Sequence, residues 1–261
     1  MSNRQEAYEL RCEWGPAGLA ALAPGSAVIV VVDVLSFTTC VAIATARGAV
    51  IRPFAADPLG GEARALDQRR AAEAGWECAA PRGRGRYSLS PRSLVEIPAG
   101  TRLLLPSPNG AALSLETGGR PTLAACLRNA TAVALAAAAL GGPVSVIPAG
   151  ERWDDGSLRP CLEDWAGAGA VLAALGGRPS PEARAAVDVF RAARPDLAAR
   201  LRESVSGREL EERGHGEDVE LAAALDVSAV VPVLTGGAYR ALESPPAGSP
   251  GSSLTPGPGP R

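Results

Sequence analysis

Three times between residues 101 and 175 the chain repeats one order of events: a short apolar run, a polar loop, then a longer helix-forming run. TRLLLP leads through SPNG to AALSLE, TLAACL through RNA to TAVALAAAAL, and VSVIP through AGERWDDGSLRP to LEDWAGAGAVLAAL. Alternation of this kind argues for strands joined by helical crossovers, which makes the strands parallel and the crossovers right-handed. A further unit stands upstream, where Ala27 to Val32 run without polar interruption into Asp33. An unalternating, β-branched run is how a strand buried on both faces reads. The helical run CVAIATARGA follows it and is closed by Gly48. The pattern predicts an α/β protein, a three-layer α/β/α arrangement with a mostly parallel or mixed central sheet.

The rest of the chain fits around that frame. Residues 1–26 read as an edge segment and a turn ending at Pro24-Gly25. AVIRPF is a short strand in which Pro53 marks a sheet edge or a strand end. Residues 60–74 have helical composition with one charged, solvated face, and residues 75–98 are broken by Gly and Pro. Beyond Gly177 two helices meet at Pro195, Asp218 opens an amphipathic helix, and SAVVPVL is a closing strand. Residues 1–243 are therefore expected to form one domain. The Pro/Gly/Ser segment 244–261 cannot offset the entropy of ordering and is expected to be disordered.

Composition removes several function classes. A net charge of −2 and a pI near 5.6 leave no electrostatic footprint for nucleic acid, which is discounted as a partner. No apolar run reaches the length of a membrane span, and the first residues lack a secretory pattern, so a cytoplasmic protein is expected. Cys12, Cys40, Cys78, Cys126 and Cys161 are scattered, without a C-x-x-C pair, and read as reduced, mostly buried thiols. The 26 basic residues include no lysine, which excludes a P-loop or Schiff-base lysine. The single histidine, His215, cannot build a multi-histidine metal site.

What remains points to one sheet edge. Parallel connections would bring Asp33, the Ser107-to-Gly110 loop, Arg128 with Asn129, and Gly150 to Asp155 together at the carboxyl ends of the strands. Ser36, Thr38 and Thr39 offer hydroxyls that either cap the next helix or meet an anion. Asn109-Gly110 can equally be a turn, and Asn129 a helix cap. Glu163 and Asp164 open a helix, where carboxylates favour the positive end of the dipole. Alternatively one or both join Asp33 in holding Mg²⁺, which takes one or two carboxylates plus water and substrate oxygens. Arg82, Arg84, Arg86 and Arg92 read as an anion-binding loop or a solvated one. His215, between Gly214 and Gly216, is a candidate for proton transfer or phosphate contact. Acids for Mg²⁺ together with arginines and helix N-termini for an oxyanion suit phosphoryl chemistry. An aspartyl-phosphate mechanism of the haloacid dehalogenase type is disfavoured, because Leu35 stands where its D-x-D motif needs a second acid.

Five blocks in order resemble one family, the 2-phosphosulfolactate phosphatases (ComB-like proteins): VVVDVLSFTT, LPSPNGAAL, CLRNATAVA, IPAGERW with LEDWAGAGA, and SGRELEERGHGEDVELAAALDVSAVVP. The resemblance spans roughly residues 28–234 and is specific jointly rather than block by block. It implies a phosphoric monoester hydrolase that cleaves the phosphate ester of 2-phospho-3-sulfolactate, or a related small phosphorylated acid, with Mg²⁺. That reaction is a step toward coenzyme M, on an α/β fold found as a homodimer. On the matching positions, Asp33, Glu163 and Asp164 are expected to carry catalysis, with Asp33, Asp164 and Asp218 on the metal. Ser36, Thr38, Asn109, Gly110, Arg128, Asn129, Gly150, Arg152 and His215 are expected to meet the substrate. The chain departs from the family's commoner pattern at Ser36-Phe37, where many members carry arginine, and at Ser107-Pro108. A familiar N-S-P element is represented by Ser88 to Pro91. The alternatives are a non-catalytic binder of a phosphorylated or sulfonated metabolite, and a hydrolase using His215 as base.

Overall fold

A computed structural model describes residues 4–55 and 69–242. Its main sheet has nine strands in the order β1-β7-β2-β6-β10-β11-β3-β5-β4. These are β1 (Leu10–Cys12), β2 (Val28–Val32), β3 (Val50–Ala55), β4 (Glu77–Cys78), β5 (Arg102–Ser107), β6 (Thr122–Ala125), β7 (Val144–Pro148), β10 (Pro232–Thr235) and β11 (Ala238–Ala241). A separate two-stranded ribbon pairs β8 (Glu151–Arg152) with β9 (Leu158–Arg159). Helices cover both faces, giving the three-layer α/β/α fold. Among the described residues no helix is long and apolar enough to cross a membrane.

β2 is buried throughout and shows why its run does not alternate. Val28, Val30 and Val32 pack on one face against Leu127, Val133 and Val171. Ile29 and Val31 pack on the other against Leu19, Leu22, Leu113 and Ile147. With helices on both sides, every β2 residue is taken out of water, and each such aliphatic side chain contributes about 1.5–3 kcal/mol.

The sheet is mixed, in a way the strand–loop–helix pattern does not reveal. β1, β7, β2 and β6 form one parallel block and β3, β5 and β4 another. The β10–β11 hairpin sits between them, antiparallel to β6 on one side and β3 on the other, so the blocks run in opposite senses. The turn after β5 nonetheless reaches the end of β2. Five strand-to-strand steps separate β2 from β5, and the accumulated right-handed twist of a sheet, roughly 20–25° per step, is the physical reason strands so far apart in order need not lie side by side.

Two expectations about strands are corrected. SAVVPVL was expected to end the sheet as a single strand, but only its last residues pair, and they turn back through Gly236-Gly237 into β11. Both glycines have positive φ, 59° and 77°, as a tight two-residue hairpin turn requires. Pro53 lies within an interior strand, β3, but at a point where only one side of that strand is paired. β3 meets β11 only at Ile51, and by Pro53 the ladder continues on the β5 side alone. Of the helix expected over 60–74, residues up to 68 lie outside the described residues, and 69–73 are helical. The 244–261 tail also lies outside them.

The helix Leu162–Ala174 seats itself on the sheet through glycine. A Cβ on Gly167 would stand 2.7 Å from Val34 Cγ2 and 2.9 Å from Val32 Cγ1. A Cβ on Gly169 would run into the Ala186 carbonyl oxygen of the neighbouring helix Pro181–Ala193 and come within 2.7 Å of Phe190 Cβ. That approach sets the first turn, with Glu163 and Asp164, over the end of β2. Gly169→Ala is expected to destabilise the fold by about 1–3 kcal/mol or more, read as a lower urea midpoint with an unchanged slope. A wild-type midpoint would mean that the helices are not so closely packed.

Candidate active site

Asp33 is fixed from three sides. Its Oδ1 accepts the Phe37 N–H at 3.0 Å, and its Oδ2 accepts the Gly110 N–H at 2.8 Å and the Ser107 hydroxyl at 3.4 Å. Gly110 has to be glycine for this, because a Cβ there would lie 2.6 Å from Asp33 Oδ2 and 2.7 Å from the Phe37 ring. Asp164 is held similarly: Oδ1 accepts the Val34 N–H at 2.7 Å and Oδ2 the Gly150 N–H at 2.8 Å. Gly150 has φ +68°, which turns its N–H onto the carboxylate. The two acids share the turn after β2, Asp164 holding it at Val34 and Asp33 at Phe37, and each ties it to one further loop, at Gly150 and at Gly110 respectively.

Glu163 differs from both. Its side chain is 1% exposed, yet neither carboxylate oxygen has a hydrogen-bond partner. Leaving such a group unpaired costs more than its structural neighbours return, so an orphaned buried carboxylate calls for a ligand. A fourth acid, Glu151, accepts the Asn109 side-chain N–H at 2.9 Å.

The acids act on one another. Burial, then the charges of Asp33 and Glu163, push Glu151 up to about 7. Burial followed by the same two charges holds Asp164 well above the usual carboxylate range. Asp33 is raised by burial against the opposing pull of the Phe37 and Gly110 N–H groups. Three buried carboxylates and the half-buried Glu151 repel one another here, and a cation is the kind of ligand that would relieve them.

That cation would not find a closed cage. Among the described residues no three His, Cys, Asp or Glu side chains form a group that could hold a metal. The expected trio Asp33, Asp164 and Asp218 is not assembled as a ligand set, and Asp218 is engaged by other partners, its Oδ1 accepting the Ser90 hydroxyl at 2.7 Å and the Arg92 N–H at 2.9 Å. The donor set instead fits Mg²⁺ as that ion is commonly bound, on one or two carboxylates with water and substrate completing its shell.

The expected substrate residues divide sharply. Asn109 and Gly110 belong to the site. Arg152 lies at its rim, donating from Nε to Asn109 Oδ1 at 3.3 Å and from Nη2 to the Pro108 carbonyl at 3.3 Å. Beside them opens a cavity of about 260 Å³ lined by Pro16, Asn109, Leu113, Glu151, Arg152 and Leu158. Ser36 is buried next to Asp33 and accepts a hydrogen bond from Arg82. Thr38 is spent on the turn, its hydroxyl donating to the Asp33 carbonyl at 2.7 Å and accepting the Asp33 N–H at 2.9 Å.

Arg128 and Asn129 bind the fold at the positions where phosphate contact was expected, while Arg128 Nε stays buried without a hydrogen-bond partner. Arg128 Nη1 donates to the Leu221 carbonyl at 2.6 Å. Asn129 is fully buried, accepts the Cys126 N–H at 2.9 Å and donates to the Val230 carbonyl at 3.1 Å. His215 is half-buried at the start of the Gly216–Ala223 helix, where its carbonyl accepts the Asp218 N–H at 3.0 Å. Two residues outside the expected set enter the region, Glu151 and Arg82. The doublet Glu151-Arg152 after Gly150, and the arginine-rich loop holding Arg82, were the signals available for them.

A family model described as 2-phosphosulpholactate phosphatase matches residues 19–237, which include all four acids of this site. No curated protein matches the chain.

Proposed function

The chain belongs to the 2-phosphosulpholactate phosphatase family, a family of phosphoric monoester hydrolases, and from that premise we propose that it hydrolyses 2-phospho-3-sulfolactate, or a closely related phosphorylated acid, with Mg²⁺ at the Asp33–Glu163–Asp164–Glu151 site. The observation that carries this reading is Glu163, a buried carboxylate with both oxygens unpaired among other acids. Glu163 and Asp33 are the residues that would hold the ion. When bound there, Mg²⁺ would neutralise phosphoryl oxygens that these acids would otherwise repel, and would acidify a bound water.

The chain's own residues supply the rest. The backbone N–H groups of Phe37 and Gly110 fix Asp33, and those of Val34 and Gly150 fix Asp164, so neither carboxylate has to reorganise as charge develops. In the reaction a water oxygen bonds to phosphorus while the ester P–O bond breaks, and the departing alcohol oxygen takes up a proton. Glu151, half-buried and steadied by Asn109 at the cavity mouth, is the acid placed to supply it.

The test is phosphate release from 2-phosphosulfolactate by the purified protein. Turnover that falls to background in EDTA and returns with Mg²⁺ is expected. Full turnover in EDTA would remove the metal from the mechanism. Ligand-dependent thermal stabilisation without turnover would instead favour a binding protein.

A further inference from the structure

Next to the acid cluster lies an arginine held in an unusual way. Asp218 is 1% exposed, and while Oδ1 is engaged by Ser90 and Arg92, Oδ2 is buried with no hydrogen-bond partner. Oδ2 faces Arg82 Nε at 3.6 Å, and that nitrogen is likewise buried without a hydrogen-bond partner. The two are near enough for their charges to attract but are not hydrogen-bonded. The same guanidinium donates from Nη2 to Ser36 Oγ at 2.8 Å. Ser36 immediately precedes Phe37, whose N–H holds Asp33. Asp33, Arg82 and Asp218 all lie close enough to the buried Cys40 for their charges to bear on its thiol. The Arg82 side chain remains 22% exposed, so one side of the fork is open to solvent.

We infer that Arg82 binds a second anionic group of the substrate, a carboxylate or sulfonate near the phosphate, and that Asp218 is its positioning residue. The inference rests on the phosphatase reading above and adds to it the residue that selects among phosphate esters. Its logic is electrostatic. An acid-bearing phosphate ester approaching four carboxylates needs a fixed cation for the charge that the metal does not cover. Arginine presents five N–H donors in a rigid fork and can take a carboxylate or sulfonate through two of them. A fork tied by hydrogen bond to Ser36 and drawn toward Asp218 by charge alone has been oriented without being saturated. The side chain that orients it, Asp218, is anchored through its other oxygen, so it can stay in place when the guanidinium shifts onto a ligand.

The experiment compares two esters, 2-phosphosulfolactate and phenyl phosphate, the second lacking any other anion. In Arg82→Gln the ratio of kcat/KM for the acid-bearing ester to that for phenyl phosphate is expected to fall roughly 10- to 100-fold, mostly through KM. Arg82→Lys should recover part of the ratio. Asp218→Asn should lower it in the same direction by a smaller factor, with KM moving and kcat holding. A ratio unchanged in Arg82→Gln would overturn the inference. A wild-type protein that hydrolyses neither ester would sink the phosphatase reading instead, and the inference would then be decided by binding. Stabilisation by 3-sulfolactate that is present in the wild type and lost in Arg82→Gln supports it, and stabilisation equal in both, or absent from the wild type, contradicts it.

Discussion

Glu163→Gln is expected to lower phosphate release from 2-phosphosulfolactate by about a hundredfold or more while raising the melting temperature of the metal-free protein at pH 8. The activity loss follows from removing the unpaired carboxylate proposed to hold the cation, since a hundredfold is about 2.7 kcal/mol of transition-state stabilisation. The stability gain follows from the same observation. Glu163 accepts no hydrogen bond that its carboxylate form is needed for, and its charge raises Asp33, Glu151 and Asp164. Removing that charge relieves all three, and each kcal/mol regained appears as roughly 2–4 °C in a chain of this size.

The pH dependence of stability has a definite sign. A carboxyl whose pKa is higher folded than unfolded binds its proton more tightly in the folded state, so its ionisation works against the fold. For Glu151 the loss of stability runs from near the ordinary value of 4.5 up to about 7. Asp33 and Asp164 act in the same direction from 3.8 upward. The metal-free wild type is therefore expected to melt higher at pH 5 than at pH 8, with a smaller difference in Glu163→Gln. Equal pH dependence in the two proteins would show that Glu163 does not act on its neighbours.

Asp33→Asn is expected to lose a similar hundredfold of activity but without the gain in stability. Its two oxygens accept backbone N–H groups on opposite sides, from Phe37 and Gly110. An amide keeps one acceptor and presents its NH₂ to the other N–H, donor against donor. That mismatch costs about 1–3 kcal/mol and offsets what the removed charge returns. The two substitutions therefore separate a carboxylate that holds the fold as well as the site from one that has no structural partner. Phosphate release at the wild-type rate by Asp33→Asn would take Asp33 out of the mechanism, and a melting temperature raised as far as in Glu163→Gln would mean that its hydrogen bonds hold little.

The parts of this site legible in the sequence are those set by local structure. An unbroken apolar run has to end at its first acid, which places Asp33 at the end of β2, and a helix that opens with Glu163-Asp164 carries both acids in its first turn whatever it packs against. Which of the two is free was not legible, because it depends on whose N–H groups come near, Val34 and Gly150 for Asp164 and none for Glu163. The same holds for Arg128 and Asn129, whose partners Leu221 and Val230 lie about ninety to a hundred residues away. The reversal of the β3–β5–β4 block was hidden for a related reason. It is imposed by a hairpin from the far end of the domain, and only Gly236-Gly237 announces that hairpin in the sequence. Arg82 came from a loop in which four arginines look alike until one of them meets Ser36 and Asp218.

The central claim, that the unpaired Glu163 carboxylate is where the cation binds, is tested most directly by melting the wild type and Glu163→Gln at pH 8 across a Mg²⁺ titration. A ligand that binds only the folded state stabilises it in proportion to the logarithm of its concentration above Kd. The wild type is predicted to gain melting temperature with Mg²⁺ and Glu163→Gln to gain little or none. Equal gains in the two proteins, or no gain in the wild type, would contradict it.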